Sequence, residues 1–324
     1  MDIKTFSTWL QRQGHTVIQS ESSYWYNAGP RVYQAFPYGW LIRPTQKELD
    51  DLMLRHGILA LRYSTPMDAT EGMVSYHVVL KNPYTLEMLR HQARNGVKRG
   101  LNNCTVSQIS FERLAEEGWP LQLDTLERQG RVDSMSQDTW HKICLAAKDL
   151  PGFEAWGAVA DGELAATLFT ARINSVWYVP YAQSHHKFLN KYVNNALFFT
   201  ASCDMLAREG VSGIFYSLHS LDAPESVNEF KFRMSFIAKP VRQRVAFHPL
   251  LRPLANPLSY RVVSALLKRN PESSTIAKTE GMLRFYLQGR LPAEQQVWPN
   301  CLEDLKDDLL TQHIIQPEYS VSSQ

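Results

Sequence analysis

The sequence predicts an α+β fold in which a mixed sheet is flanked by helices. Three strand-like runs follow one another between residues 155 and 183, and the turn pair Asp161-Gly162 joins the first two. Residues 191–209 show apolar spacing of helical period that ends at a glycine. A strand at Gly213–Leu218, a short helix and a last strand complete the order strand, strand, strand, helix, strand, helix, strand.

The length and composition are those of a globular protein with one or two domains. The chain has 324 residues, and its 44% hydrophobic content is enough for two cores of ordinary size. No apolar run approaches the length of a membrane span, and the N-terminus lacks the pattern of a signal peptide. The four cysteines form no CxxC pair, which argues against a disulfide framework or a structural zinc site. We therefore expect a cytoplasmic protein without a metal.

The elements before residue 102 indicate a second, abbreviated domain. A helix at 45–55 and two following strands repeat part of the pattern of the central stretch. We expect a degenerate N-terminal domain over residues 1–101 and a principal domain over 102–249. A basic amphipathic segment with an acidic tail follows over 250–324.

A row of basic residues follows the strands of the first domain. Residues 84–101 are expected to be helical, and Arg90, Arg94 and Lys98 are four apart, so they would line one helix face. Like charges at this spacing repel by roughly a few tenths of a kcal/mol per pair. Two interpretations stay open: the row binds an anionic ligand, or it pairs with the acidic residues of the next segment.

A longer basic block lies near the C-terminus. No Asp or Glu occurs between residues 230 and 271, although nine Lys and Arg do. Such a block indicates an anionic partner, such as a phosphate, a nucleic acid or a membrane surface, or a solvated face that pairs with acidic surfaces elsewhere. Within it, residues 250–268 combine regularly spaced leucines with arginines. We expect this segment to cover the core rather than to lie on a membrane or a substrate.

None of the common catalytic motifs is present. The sequence has no GxSxG, HExxH, P-loop or GxGxxG pattern. His185 and His186 are adjacent, and adjacent residues point in different directions, so we do not expect them to bind a metal. The sequence is therefore compatible with group-transfer chemistry, in which the protein acts by holding the donor and the acceptor of the group in one cleft.

The run NEFKFRMSF at 228–236 resembles the lysine motif of the Fem family, where glycine-phenylalanine follows a phenylalanine-lysine stretch. Ser235 stands where that family usually has glycine. The stretch RHQARNGVKRGLNNCTVSQIS resembles the Fem segment that opens the second GNAT unit. The order of strands and helices is similar to that of GNAT acetyltransferases, including BioF2-type proteins of envelope or exopolysaccharide settings. Over residues 60–247 the resemblance implies a tandem-GNAT acyltransferase whose N-terminal unit is degenerate.

The resemblance implies transfer of an acyl or aminoacyl group to an amine, and it assigns Lys231 to the catalytic site. An ammonium there would stabilise the developing oxyanion or a donor phosphate. For the proton acceptor we consider Tyr181, on the third strand, and His219, at the end of the strand after the long helix. Arg233 and the basic row of the first domain are expected to bind substrate.

The connector AQSHHKFLNKYV, between the third strand and the long helix, has no glycine. GNAT proteins that bind acetyl-CoA have a glycine-rich loop here, whose amides grip the pyrophosphate. In this chain Ser184, His186 and Lys187 would have to contact an acyl-CoA, with Asn194 and Asn195 at the start of the helix. Fem-type members also lack the loop, since their donor is aminoacyl-tRNA.

Three functions therefore stay open. The first is an N-acyltransferase that uses acyl-CoA and acts on an amine, such as that of a cell-envelope or exopolysaccharide precursor. The second is a Fem-like aminoacyltransferase, in which tRNA is a partner and the basic block contacts its phosphates. The third is a non-catalytic binding protein that has kept the fold without the activity.

Overall fold

The computed structural model describes residues 1–130, 135–220 and 228–315. Within these ranges the chain forms eleven strands, which are β1 (Val17–Gln19), β2 (Tyr24–Gly29), β3 (Val32–Phe36), β4 (Ala60–Thr65), β5 (Met73–Leu80), β6 (Thr105–Ile109), β7 (Phe153–Ala160), β8 (Glu163–Ile173), β9 (Val176–Ser184), β10 (Gly213–Leu218) and β11 (Ile237–Phe247). The same ranges contain ten α-helices, which are α1 (Ile3–Arg12), α2 (Gln46–His56), α3 (His91–Asn103), α4 (Phe111–Arg128), α5 (Gln137–Leu145), α6 (Val193–Ala207), α7 (Glu229–Arg233), α8 (Pro257–Arg269), α9 (Ser274–Gln288) and α10 (Lys306–Ile315). The predicted α+β class is confirmed.

The chain divides into two compact units, each assembled from segments that are distant in sequence. Unit 1 comprises Met1–Val17, Val78–Ser217 and Ser226–Ile237. Unit 2 comprises Ile18–His77, Leu218–Glu225 and Ala238–Gln324. The units thus interleave along the chain, whereas the domain boundaries expected after residues 101 and 249 follow chain order.

The sheet of unit 1 is mostly antiparallel. Strands β6, β7, β8 and β9 pair in this order as antiparallel neighbours, and β10 pairs with β9 in parallel. Strand β8 is buried along nearly its whole length, because α4 and α6 both pack against this sheet. Asp161 and Gly162 have φ values of 54° and 82°, as a tight hairpin turn requires. The three strands expected between residues 155 and 183 are therefore confirmed.

The sheet of unit 2 has the strand order β1-β2-β3-β4-β11-β5 and is mixed. Strand β3 is parallel to β4, whereas β11 is antiparallel to it. Leu49 and Met53 of α2 belong to a buried cluster that also contains Trp25 and Tyr63 of the strands. Helix α9 contributes Phe285 to a second, smaller cluster. The strands of unit 2 therefore pack against apolar side chains of α2 and α9.

The helix expected over residues 84–101 is shorter in the structure. Helix α3 begins at His91, and Arg90 is its N-cap residue. The guanidinium of Arg94 donates to two main-chain carbonyls before the helix, at 2.9 and 3.0 Å, and that stretch forms the short 3-10 helix Leu86–Met88 instead of a first turn of α3. The prediction of three basic residues along one helix face is therefore wrong, because only Arg94 and Lys98 lie within the helix.

The C-terminal segment does not cover the core as expected. Helix α8 packs on α9 but has no buried residue, and its Leu258 and Val262 are 70% and 52% exposed. The expectation was wrong because apolar periodicity shows that a helix has an apolar face, not that another element covers it. Across the described ranges, every helix is too short or too polar to cross a membrane.

Candidate active site

Strands β9 and β10 of unit 1 pair over a short stretch and then separate. The parallel pairs are Val176 with Gly213, Trp177 with Ile214 and Tyr178 with Phe215. Within the described residues no further pair joins the two strands, although β9 continues to Ser184 and β10 continues past Tyr216. We call the place where the two strands stop pairing the strand opening.

A β-bulge on β9 lies at the edge of this opening. Tyr181 pairs with Phe169 and Tyr178 pairs with Ala171, so β9 carries one residue more than β8 between these two pairs. Pro180 lies within the bulge and has no N–H to give to a strand ladder. Bulges are frequent next to active sites, because they re-aim the strand. The opening and the bulge together mark this end of β9 as a candidate site.

Lys231 projects from α7 onto β10 just beyond the last strand pair. Its Nζ lies 4.2 Å from the ring centroid of Tyr216 and donates a 2.7 Å hydrogen bond to Asn228 Oδ1. The residue is 8% exposed, and burial lowers the pKa of its ammonium from 10.5 to about 8. No carboxylate of the described ranges pairs with this lysine, so an amide oxygen and an aromatic face balance its charge. A buried ammonium in this setting favours an anion beside it.

Aromatic packing and a constrained turn hold α7 in position. Phe230 packs edge-to-face on Phe198 of α6 at 5.3 Å, and Phe236 does the same on Tyr216 at 5.8 Å. Ser235 has a φ of 64°, in the left-handed region that favours glycine, and its hydroxyl donates to a main-chain carbonyl at 3.2 Å. The position where the Fem motif has glycine therefore has a left-handed backbone in this chain.

Several residues expected to hold a cofactor make contacts within unit 1. Ser184 is buried, and its hydroxyl accepts a 3.1 Å hydrogen bond from Asn194 Nδ2. The side-chain amide Nδ2 of Asn195 donates to the sulfur of the methionine that directly follows α7, at 3.4 Å. Lys187 is ion paired with Glu163 at 2.8 Å. An acyl-CoA at this connector would have to compete with these contacts.

Asp124 of α4 is the common partner of the two adjacent histidines. The main-chain N–H of His186 donates to Asp124 Oδ2 at 3.1 Å, its Nδ1 contacts the same oxygen, and His185 Nδ1 lies 3.3 Å from it. The argument that adjacent histidines point apart is therefore wrong for this pair. The three ligand atoms lie within 4.8 Å of one another, close enough for a metal ion, but Arg128 Nε already donates to Asp124 at 2.6 Å. Burial acts to raise the pKa of Asp124, yet hydrogen bonds from His186 and Arg128 outweigh it and lower that pKa.

Helix α3, which carries part of the predicted substrate-binding set, packs closely on the start of α6. A Cβ on Gly100 would lie 2.4 Å from the main-chain oxygen of Tyr192, so this approach requires glycine. The guanidinium of Arg99 donates to the Tyr192 hydroxyl at 3.2 Å and lies 5.2 Å from the ring centroid. The exposed members of the predicted substrate-binding set are Arg90, Lys98 and Arg233.

The two residues considered as proton acceptors have different surroundings. The ring of Tyr181 packs edge-to-face on Trp140 at 5.6 Å. His219 belongs to unit 2, where its Nδ1 lies 3.1 Å from Ser75 Oγ. Burial, with the nearby charge of Arg62, lowers the pKa of His219 to about 4. At neutral pH this imidazole is therefore uncharged and a weak base.

The comparisons with known proteins concern the fold. No protein-family model matches the sequence, and no curated protein matches it. Among solved structures the chain is similar to FemX, with a TM-score of 0.52 and 9% identity over 76% of this chain and 92% of that chain. The fold of the chain is therefore like that of FemX. It is also similar to L-PGS from Bacillus licheniformis, with a TM-score of 0.49 and 11% identity over 76% of this chain and 92% of that one.

A third similar structure is the C-terminal domain (DUF2156) of a putative lysylphosphatidylglycerol synthetase from Agrobacterium fabrum. Its TM-score is 0.47, with 10% identity over 74% of this chain and 86% of that one. At identities this low the likeness to FemX shows the fold alone. The predicted mixed sheet flanked by helices is confirmed by the strand order, and donor and acceptor are left to chemical argument.

The contacts of Lys231 include two residues that sequence reasoning missed. Asn228 stands three residues earlier, a helical spacing that places both side chains on one face, so the spacing was a usable signal. Tyr216 could not be predicted as a contact of Lys231, because this contact joins a strand to a helix. The place where β9 and β10 stop pairing could not be predicted either, since strand pairing is not a property of local sequence.

Proposed function

We propose that this chain is an N-acyltransferase that moves an acyl group from an activated donor to an amine. The observation that carries the proposal is the buried ammonium of Lys231 beside the opening between β9 and β10, with no carboxylate partner in the described ranges. A buried charge without a counter-charge is costly, and a transition state that develops negative charge supplies one. The Fem-like motif at 228–236 and the fold shared with FemX support the same chemistry.

The reaction has a simple balance of bonds and protons. The amine nitrogen attacks the donor carbonyl, a C–N bond forms, and the C–S or C–O bond to the leaving group breaks. The proton lost by the amine ends on the released thiol or hydroxyl. Between these steps the carbonyl oxygen carries negative charge, and the ammonium of Lys231 stabilises it more than the neutral carbonyl. Removal of one such donor from an enzyme slows catalysis by about 10²–10³-fold.

The donor is an acyl-CoA or an aminoacyl-tRNA, and the connector after β9 favours the second. A CoA pyrophosphate needs free main-chain amides and cations at a helix start. Here Lys187 pairs with Glu163, and His186 contacts Asp124, so the side chains that would replace the glycine loop have other partners. An aminoacyl-tRNA has no pyrophosphate that must be bound at the start of this helix. It could therefore serve as the donor without displacing the contacts of Lys187 and His186.

The acceptor is an amine-bearing molecule, which we propose to be a cell-envelope or exopolysaccharide precursor. Lys98 on α3 and Arg233 on α7 are both exposed in unit 1. Cations of this kind bind phosphate and carboxylate groups by charge-assisted hydrogen bonds. An acceptor that carries such a group would therefore be favoured over a neutral amine.

A transfer assay with labelled donors tests the proposal. Wild type, Lys231→Met and the exposed-lysine control Lys47→Met are each given acetyl-CoA or aminoacyl-tRNA together with a panel of amines. The donor is identified independently by thermal shift, because a ligand that binds only the native state raises Tm. A Tm increase with tRNA that shrinks as salt rises supports the tRNA donor. Undiminished transfer by Lys231→Met would refute the role of this lysine. Absence of both transfer and Tm increase would favour the non-catalytic binding protein.

A further inference from the structure

Five aliphatic side chains spaced four residues apart form an exposed stripe in unit 2, which we call the leucine stripe. Its members and their exposed fractions are Leu250 (79%), Leu254 (62%), Leu258 (70%), Val262 (52%) and Leu266 (42%). The first two lie in the 3-10 helix Pro249–Leu254 and the others in α8, which has no buried residue. The three members on α8 share one face of that helix, and exposed apolar side chains grouped in this way mark an interaction site more often than single exposed leucines do.

The geometry of α8 keeps the leucine stripe away from the element that supports the helix. At about 100° per residue, Leu258, Val262 and Leu266 lie within about 80° of one another. Tyr260 is on the other side of the helix, where it lies beside Glu280 of α9. Helix α8 is therefore supported on one face by α9 and leaves its apolar face open.

Basic side chains accompany the stripe. Arg261, Lys268 and Arg269 are all exposed on α8. At about 100° per residue, Arg261 and Lys268 project beside the stripe, and Arg269 continues it at the C-terminal end. Since no Asp or Glu occurs between residues 230 and 271, α8 itself is apolar and cationic. Its charge is complementary to an anionic partner.

We propose that α8 and the turn before it dock on an anionic membrane surface. The leucine stripe enters the boundary between headgroups and acyl chains, and Arg261, Lys268 and Arg269 contact lipid phosphates. This combination of an apolar face and flanking basic residues is the pattern of helices that lie in the membrane interface. A nucleic acid is a poorer occupant, because aliphatic side chains offer its backbone no charge and its bases no aromatic stacking surface. The inference is independent of the chemistry assigned to Lys231.

Sedimentation with vesicles tests the inference on the full chain. Phosphatidylcholine vesicles are compared with vesicles that also contain about 30 mol% phosphatidylglycerol, at low and at moderate salt. Each basic residue near an anionic surface contributes about 1 kcal/mol, or about fivefold in affinity, so three predict at least tenfold tighter binding to the anionic vesicles. Binding should weaken as salt rises, because exposed charges are screened.

Two double variants separate the apolar contribution from the charge. Leu258→Gln/Val262→Gln and Arg261→Gln/Lys268→Gln should each weaken binding to anionic vesicles at least tenfold. Leu54→Gln/Lys47→Gln on α2 is the matched control, since Leu54 is 59% exposed and Lys47 is exposed. The control should bind as the wild type does. Because all these side chains are exposed, thermal melts should show unchanged folding.

Several results would overturn the inference. One is failure to bind either vesicle, and another is equal binding to neutral and anionic vesicles. A wild-type dimer that Leu258→Gln/Val262→Gln converts to monomer, without vesicle binding, would show that a second copy covers the stripe. Salt-sensitive binding to RNA in place of vesicles would also overturn it. Vesicle binding that survives both double variants would place the contact elsewhere on the chain.

Discussion

Replacing Lys231 by methionine should leave the protein at least as stable as the wild type while removing most of its transfer activity. Burial lowers the pKa of this lysine from 10.5 to about 8. A tenfold change in an ionisation constant is worth about 1.4 kcal/mol, so holding the ammonium charged in the folded state costs about 3 kcal/mol. Loss of the hydrogen bond to Asn228 offsets about 1–2 kcal/mol of the gain. The net change should therefore be up to about 2 kcal/mol in favour of the variant.

The sign of this effect should depend on pH. The folded-state pKa lies below the unfolded one, so the cost of the charge is fully present below a pH of about 8. As the pH rises from about 8 toward 10.5, the folded chain has lost the proton that the unfolded chain still holds. The free energy of unfolding of the wild type should rise across this window. The advantage of Lys231→Met should shrink accordingly.

Urea unfolding near neutral pH and again at about pH 10 measures both free energies, with exposed Lys47→Met as the control. Transfer rates on the same preparations should fall by about 10²–10³-fold for Lys231→Met and stay unchanged for Lys47→Met. Two results would refute the reasoning. One is a Lys231→Met variant clearly less stable than the wild type near neutral pH, and the other is unaltered turnover.

Three further predictions concern the same unit. Wild-type kcat/KM should fall as the pH rises through about 8, because Lys231 loses its proton there. The Lys231→Arg variant should keep its activity over the same range, because arginine stays charged, and a pH profile of both proteins checks this. Ser235→Gly should raise the free energy of unfolding by up to about 1 kcal/mol, and Ser235→Val should lower it by about 1–2 kcal/mol, since φ is 64° at this position. Denaturant titrations that rank the two variants in the opposite order would contradict this. Gly100→Val should lower stability by more than about 2 kcal/mol, because even a Cβ would lie 2.4 Å from the oxygen of Tyr192; a wild-type Tm would exclude such close packing.

Sequence patterns predicted the elements around the site where those elements depend on neighbours along the chain. The turn Asp161-Gly162 needs only its own two residues, so the hairpin of β7 and β8 was predictable. The helix expected over 191–209 is α6, but it begins at Val193. The difference arises because Tyr192 has a φ of 59° and ends a 3-10 turn, a conformation that periodicity does not show.

What sequence could not predict depends on contacts between distant segments. Asp124 lies 62 residues from His186, so the sequence around the two histidines does not indicate which carboxylate contacts them. The low pKa of Lys231 depends on its burial, which is a property of the folded packing around α7. The exposure of Leu258 is of the same kind, because it depends on the absence of a covering element. Local sequence patterns therefore indicate candidate residues, whereas the burial and the contact partners of those residues depend on the tertiary structure.

Two parts of the site bear in different ways on the proposed transfer chemistry. The connector residues Lys187 and His186 have partners within the fold, so neither is free to contact a donor phosphate without losing that partner. Lys231, in contrast, keeps a buried charge that costs the fold about 3 kcal/mol. A neutral side chain at this position would stabilise the protein, so the presence of the ammonium supports the role that we propose for it beside a transition state of negative charge.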